Sequence, residues 1–501
     1  MRKVLNLLII LLLVSCSTKD SDLKLKKVII AGKVLNPDPT IFKIDFSVCH
    51  IGIGRERISS FIDDTGYFKV SFDSYVPTEV WLLCKTNFLI LTHPGDSIYV
   101  EFDGAKEERS DILKTVKFSG NSTNLNYEAA IFQSMYYSSN IYSDFDKKEQ
   151  AIKDYDEVRY KHFRDSLKSE EENLLNSFIK QYKPSYETRN WAKIFLDIDY
   201  YRDLVEYPEL HRIENNLKSK DWNVPITYYD FLKNQFSIKN SNLISGYSLE
   251  SYANSYQLYL FEKIKIENKQ FFTSTDTVRK YPEKLDSLMI FGTIKYTGDP
   301  ILRQMVLTEM LRQRLEQSEI RMFNKYASTI EGLITEPYLK EPLFNLYRQT
   351  LTGLNNPKIA SDAILNKLMG TSIKTTIDSI ISVNKGKVIY MDCWATWCGP
   401  CIAEMPNSKK LMERYKAKDV AFIFICLDSE ERNWKFILSK YSLSGQHFLL
   451  SKNQSSDFRE AFDIKGVPHY ILFDKKGDIS ENGASSPGFI KDKIDKLLTE
   501  K

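Results

Sequence analysis

The feature that most constrains this chain is one pair of cysteines, Cys398 and Cys401, placed where a strand gives way to a helix. Val388-Ile389-Tyr390-Met391 is a bulky, largely apolar run of the kind that fills a buried strand. Trp397-Cys398-Gly399-Pro400-Cys401 follows a few residues later, and from Pro400 to Tyr415 the apolar spacing becomes helical. A strand that enters a helix through a Cys-x-x-Cys turn commits the segment to α/β architecture and sets both sulfurs at a helix N-terminus. Unpaired amides and the helix dipole there favour a thiolate at Cys398, and such nucleophiles reach pKa values of ~3.5–7.5 instead of ~8.5. Cys401, one turn further in, is expected to be more buried and to act as the resolving thiol. Two intervening residues let the sulfurs close a small ring, so a mixed disulfide at Cys398 can be resolved internally. A zinc site needs four ligands, and neither a second Cys-x-x-Cys nor a His pair accompanies this one. No metal or bound cofactor is expected, only a redox-active Cys398–Cys401 disulfide.

The surrounding pattern alternates. A candidate helix near Ile359 to Met369 precedes segments at Lys387–Trp394, Pro400–Tyr415, Val420–Leu427, Arg432–Tyr441, His447–Leu450, Asp457–Phe462, Tyr470–Phe473 and Ile490–Leu498. Strand and helix spacings take turns along them, which predicts a layered α/β domain over residues 355–501. Lys475-Lys476-Gly477-Asp478 supplies a turn between the last two strands.

Asp392-Cys393-Trp394-Ala395-Thr396-Trp397-Cys398-Gly399-Pro400-Cys401 resembles the active-site strand and turn of the thioredoxin superfamily. Pro406 matches that family's kinked-helix proline, and Gly466-Val467-Pro468 sits where it places a cis-proline opposite the cysteines. Glu404 followed by Pro406 is similar to the TlpA/ResA-type extracytoplasmic branch. The resemblance covers roughly the last third of the chain, within the usual size of one domain. It implies a thioredoxin fold with Trp397, Gly399, Pro400, Val467 and Pro468 lining the substrate site. It also implies that Asp392 is the buried acid that takes the proton from the resolving cysteine, and that Glu404 is the acid used in the TlpA/ResA-type branch; a buried carboxyl has a raised pKa suited to that work. His469 replaces a common threonine and reads as a packing substitution, while Cys393 and Cys426, on central strands, read as buried inert thiols. The segment before Lys387 lacks the family's usual hairpin signals, so the first strands are expected to be degraded or rearranged.

The Gly-Pro pair between the cysteines resembles reducing family members, which implies a protein disulfide reductase acting on disulfide-containing exported proteins and supplied by a membrane electron donor. Disulfide oxidase or isomerase activity is the alternative within the enzyme class. A further alternative is a binding protein whose earlier domains form the functional surface, with the redox domain auxiliary.

At 501 residues the chain is too long for one ordinary core. Residues 27–120 show short strands such as Val28–Gly32, Phe42–Phe46 and Tyr67–Phe72, with turns at Asp63-Asp64-Thr65-Gly66 and Pro94-Gly95-Asp96-Ser97. This predicts a small all-β domain. Asp64-Thr65-Gly66-Tyr67-Phe68 and Pro94-Gly95-Asp96-Ser97 resemble a β-rich domain that precedes thioredoxin domains in exported bacterial lipoproteins. Residues 121–354 turn to a helical period, as at Phe163, Leu167, Leu174 and Phe178, broken at Pro184. A mostly α-helical middle domain follows, its many aromatic residues on core stripes and with no fixed repeat. Gly353-Leu354-Asn355-Asn356-Pro357 reads as the linker onward. Sixty-nine basic residues against 66 acidic ones give a net charge of +3 and no electrostatic reason to expect nucleic acid.

Residues 1–16 read as an address. Arg2 and Lys3 precede the apolar run Val4 to Val14, too short for a bilayer-spanning helix, which needs ~20 residues. Leu13-Val14-Ser15-Cys16 resembles the bacterial lipobox, implying a lipid on Cys16 and a polar tether over 17–26. Ser17 after the lipidated position mildly favours the outer membrane in that resemblance, so the expected location is the cell envelope, lipid-anchored and periplasm-facing, with exposure at the cell surface as the alternative. Of the seven cysteines, Cys49 and Cys84 are read as buried free thiols in apolar strands, with a disulfide between them as the alternative.

Overall fold

The structure, a computed structural model, describes residues 24–37, 43–52, 54–143, 145–218, 221–367 and 372–500. The leader 1–16, with Cys16, and the tether up to residue 23 lie outside the described residues.

Among the described residues eight strands come first: β1 (Lys26–Leu35), β2 (Lys43–His50), β3 (Gly54–Phe61), β4 (Tyr67–Ser74), β5 (Thr78–Leu83), β6 (Asn87–Thr92), β7 (Ser97–Asp103) and β8 (Lys117–Gly120). They form two four-stranded sheets, ordered β4-β1-β7-β8 and β3-β2-β5-β6. Alternating residues of both sheets, among them Val28, Ile30, Phe46, Val48, Phe68, Val80 and Val100, close one apolar core between them. The turn into β4 is built by Asp63, whose carboxylate accepts from the amides of Thr65 and Tyr67, with Gly66 at φ +84°. This region is not wholly β: helix α1 (Arg109–Thr115) lies between β7 and β8 and plugs Ile112 and Leu113 into the same core. Cys49 and Cys84 are both free thiols; Cys49 is buried on β2 as expected, but Cys84 falls in the turn after β5 ends at Leu83 and is only partly buried.

Helices follow: α2 (Thr123–Tyr137), α3 (Asn140–Ser143), α4 (Phe145–Asp154), α5 (Glu157–Tyr182), α6 (Tyr186–Glu214), α7 (Gly246–Glu267), α8 (Thr275–Lys280), α9 (Pro282–Tyr296), α10 (Pro300–Glu316), α11 (Arg321–Leu333) and α12 (Pro337–Asn355). Asp156 and Ser185 cap α5 and α6, each accepting from an amide three residues on, so the break at Pro184 is a true helix end. The aromatic stripes are core: Tyr160 and Tyr207 stack at 4.1 Å, and Tyr252 and Tyr256 are buried.

Buried polar bonds join the strands to these helices. Glu79 on β5 is buried and accepts from Trp191 Nε1 at 2.9 Å and from the Ser248 amide at 3.2 Å and hydroxyl at 3.0 Å. Burial raises its pKa to about 7. Arg55 pairs with Glu250 at 3.1 Å beside Cys49, whose thiol donates to the same carboxylate.

The last region is a six-stranded sheet ordered β14-β13-β10-β11-β12-β9. Its elements are β9 (Ala363–Lys367), α13 (Ile373–Val383), β10 (Val388–Trp394), α14 (Gly399–Arg414), β11 (Val420–Cys426), α15 (Glu431–Tyr441), β12 (Gly445–Leu449), α16 (Lys452–Ala461), β13 (His469–Phe473), β14 (Ile479–Asn482) and α17 (Lys491–Thr499). Within the segment Ile359 to Met369, where a helix is expected and of which residues 368 and 369 lie outside the described residues, Ala363–Lys367 instead form the edge strand β9, parallel to β12. Its hydrogen-bond partners lie some eighty residues later, at Gly445–Leu449, beyond the reach of local periodicity. β10 is buried at every position, with helices on both faces. Ile389, Met391 and Cys393 point to the α13 and α16 side; Tyr390 and Trp394 point to the α14 and α15 side. That second face continues into the helical region without interruption: Leu311, Leu315, Ile320 and Leu354 share a core with Trp434, Phe436 and Ile402.

Candidate active site

The two cysteines sit where β10 ends and α14 begins. Cys398 is the N-cap of α14, and its Sγ accepts from the Cys401 amide at 3.2 Å. The Cys398 amide closes a tight turn to Ala395 O, and Pro400 occupies the first turn of the helix, where its missing N–H costs nothing. The pair is joined as a disulfide, with Cα atoms 5.3 Å apart. On reduction the same amide and the N-terminal end of the helix dipole face the Cys398 sulfur and favour its charged form.

Trp397 flanks the turn with its ring half exposed, at 47%, while its Nε1 is tied to Asp428 O at 2.9 Å. Cys398 itself is only 4% exposed and Cys401 2%. Cys393 pairs with His469 across β10 and β13, which brings the Val467–Pro468 bond, cis in this fold, to the same end of the sheet as the cysteines. His469 is engaged through Nε2 with Asn482 at 2.7 Å.

Asp392, on β10, is 3% exposed and its Oδ1 has no hydrogen-bond partner. Burial, and then repulsion from Glu404, push its carboxyl up to about 8. Glu404 lies on the second turn of α14, half-buried, and accepts from Asn407 Nδ2 at 3.2 Å. The two carboxylates read from the sequence therefore share one electrostatic neighbourhood, with Asp392 the more deeply desolvated. Burial drives the Cys393 thiol far above its ordinary value and the Cys426 thiol up to about 12, so neither supplies a thiolate near neutrality.

Two features escape sequence reasoning. Tyr470 is the cross-strand partner of Asp392, stacks on Tyr390 at 5.7 Å and buries an unpartnered hydroxyl. The cis-proline motif two residues earlier could have pointed to it. Gln317, in the turn between α10 and α11, places its Nε2 3.9 Å from where a side chain on Gly399 would begin, and nothing in the sequence near it signals this. Among the described residues no three His, Cys, Asp or Glu side chains converge as a metal site, and no helix is long and apolar enough to cross a membrane.

Comparison with known proteins bears on the same region. A family model described as Redoxin matches residues 374–495. The thiol-disulfide oxidoreductase ResA of Bacillus cereus is 31% identical over 141 residues, which is 28% of this chain and 76% of that protein. The thioredoxin-like protein YneN of Bacillus subtilis is 26% identical over 162 residues, 32% of this chain and 89% of that one. Among solved structures, the thioredoxin domain of a thiol-disulfide oxidoreductase from Bacteroides vulgatus is 28% identical, covering 24% of this chain and 84% of that one with a TM-score of 0.22.

Proposed function

As this chain belongs to the thioredoxin superfamily, as a TlpA/ResA-like thiol–disulfide oxidoreductase, we propose that it reduces disulfides of exported proteins from a lipid anchor in the cell envelope. The observation that carries the reading is Cys398 at the N-cap of α14 with the Cys401 amide donating to its sulfur. The reduced Cys398 thiolate attacks one sulfur of a substrate disulfide; a Cys398–substrate disulfide forms and the other substrate sulfur leaves as a thiolate. Cys401 then loses its proton to Asp392, with Glu404 as the second acceptor, and attacks Cys398 Sγ. The second substrate thiolate is freed and the Cys398–Cys401 disulfide closes. Two electrons from a membrane electron donor restore the dithiol.

Trp397, Gly399, Pro400, Val467 and Pro468 line the place where substrate chain lies, at one end of the sheet. Residues 27–120 and 121–354 form the β and helical domains that carry this site, and the lipid on Cys16 holds the whole at the membrane, with the outer membrane favoured. The test is a Cys401→Ser variant, which stops the reaction after the first exchange. Recovery of defined exported proteins in mixed disulfides on Cys398 supports the reading, and their absence with the reduced variant overturns it.

A further inference from the structure

The redox turn is not bare. The α10–α11 turn of the helical region lies over it, with Gln317 Nε2 3.9 Å from the Cβ position of Gly399, the residue between the attacking cysteine and Pro400. Ser318 follows in left-handed conformation, φ +67°, and is buried with an unpartnered hydroxyl, so this corner is packed rather than loose. Leu315 before it and Ile320 after it belong to the core that also holds Cys398, Cys401, Ile402 and Trp434.

The docking that holds the turn in place is specific. Helix α12 packs against α15 so closely that a Cβ on Gly353 would meet Phe436 at 2.5 Å. Arg432 of α15 donates to Leu354 O at 3.4 Å and to Asn355 Oδ1 at 2.6 Å. Trp434 and Ile437 of α15 are fully buried in this arrangement. The result at the active site is an asymmetric surface: Trp397 is open to solvent on one side of the turn, and Cys398 is 4% exposed beside it.

From this geometry we infer that the substrate site is a slot shared by two regions, with Gln317 as its specificity-determining wall, and that it takes disulfides carried on flexible, extended segments in preference to disulfides on the face of a folded protein. A folded face must present its disulfide to Cys398 over both Trp397 and the α10–α11 turn at once, whereas an extended segment enters along the slot. This rests on the reductase reading and names its substrate class.

The test compares two substrates with the full-length reduced protein: a short flexible peptide closed by a disulfide, and the same disulfide loop grafted on the surface of a stable folded domain. Discrimination is the ratio of their kcat/KM values. The wild type is expected to favour the flexible peptide by about tenfold or more. Gly353→Leu, which wedges α12 away from Phe436, and Arg432→Ala, which removes the bonds to Leu354 and Asn355, are expected to raise the rate on the grafted loop and shrink the ratio. In both variants, reduction of oxidised glutathione should stay within about twofold of wild type, because neither residue touches the cysteines. If Gly353→Leu does not fold, Arg432→Ala alone decides. Equal rates on the two substrates in the wild type, or an unchanged ratio in Arg432→Ala, overturn the shared slot. Loss of reduction towards both substrates instead overturns the reductase reading beneath it.

Discussion

Asp392 and Tyr470 stand opposite each other across the antiparallel β10–β13 pair, and each buries an oxygen that has no hydrogen-bond partner. Residues directly opposite in such a pair project to the same face of the sheet, so an undersolvated carboxyl and an undersolvated phenol share the α14 side. The protonated carboxyl is the form that this neighbourhood favours, and Glu404 adds to the bias. A carboxyl held up to about 8 is mostly protonated at neutral pH, but its ionised fraction is a far stronger base than an ordinary carboxylate, and it is this fraction that would take the Cys401 proton.

Replacing Asp392 with Asn keeps the shape and removes the base. Attack by Cys398 should be nearly unchanged, while release of the second substrate thiolate slows by ~10²-fold, the lower end for general base catalysis. Wild-type release should also rise with pH through about 8, as the carboxyl loses its proton, and the variant should lack that inflection. Stopped-flow measurement of both steps, with Glu404→Gln alongside, separates the two acids. Unchanged release in Asp392→Asn would move the role to Glu404 or solvent.

Cys398 should ionise well below the ~8.5 of a free thiol, because its sulfur caps α14. The rate of alkylation of the reduced protein against pH reports this directly, read at Cys398 by peptide mapping. A midpoint at or above ~8.5 would remove the proposed activation.

Glu79 ties the β strands to Trp191 and Ser248, and its pKa is raised to about 7 from an ordinary 4.5. The folded state therefore holds the proton more tightly than the unfolded chain does. The stability this gives is full below about 4.5 and is lost as pH rises through about 7, by on the order of 3 kcal/mol. Urea unfolding should show that loss in the wild type and not in Glu79→Gln. Glu79→Ala, which strands the buried Trp191 indole N–H, should cost ~1–3 kcal/mol below about pH 4.5, and less at higher pH as the wild type itself loses stability. Matching pH profiles for wild type and Glu79→Gln would contradict this account.

If Cys16 carries lipid, fractionation should place the wild type with membranes and Cys16→Ala in the soluble fraction. Equal membrane partition of both would count against the lipid.

What was legible in the sequence follows the range of each interaction. The Cys398–Cys401 turn could be read because its chemistry is local: strand, two cysteines, proline and helix lie within a few residues. Asp392 entered through the resemblance instead, and what the structure adds is its burial, which follows from its place on a strand covered on both faces. Strand β9 could not be read, since Ala363-Ile364-Leu365 suits a helix or a strand equally and the choice is made by β12, far along the chain. Helix α1 was hidden for a related reason: seven residues between two strands hold their shape because Ile112 and Leu113 reach the sheet core. Gln317 is a polar residue at a helix end, unremarkable until the packing of α12 on α15 brings its turn to Gly399.

The linker expected at Gly353–Pro357 divides the sequence but not the solvent, and its first three residues turn out to be the end of α12, held there by packing on α15. Leu354 within it and Trp434, Phe436 and Ile437 beyond it bury one another. A fragment beginning at Pro357 would carry every residue of the redox turn yet bare the α15 face to water, at a cost of about 25 cal/mol for each Å² of apolar surface so exposed. Modularity here is thus one-sided: the thioredoxin unit has been fitted to its carrier, and transplanting it intact calls for polar replacements along α15 as well as a cut in the chain.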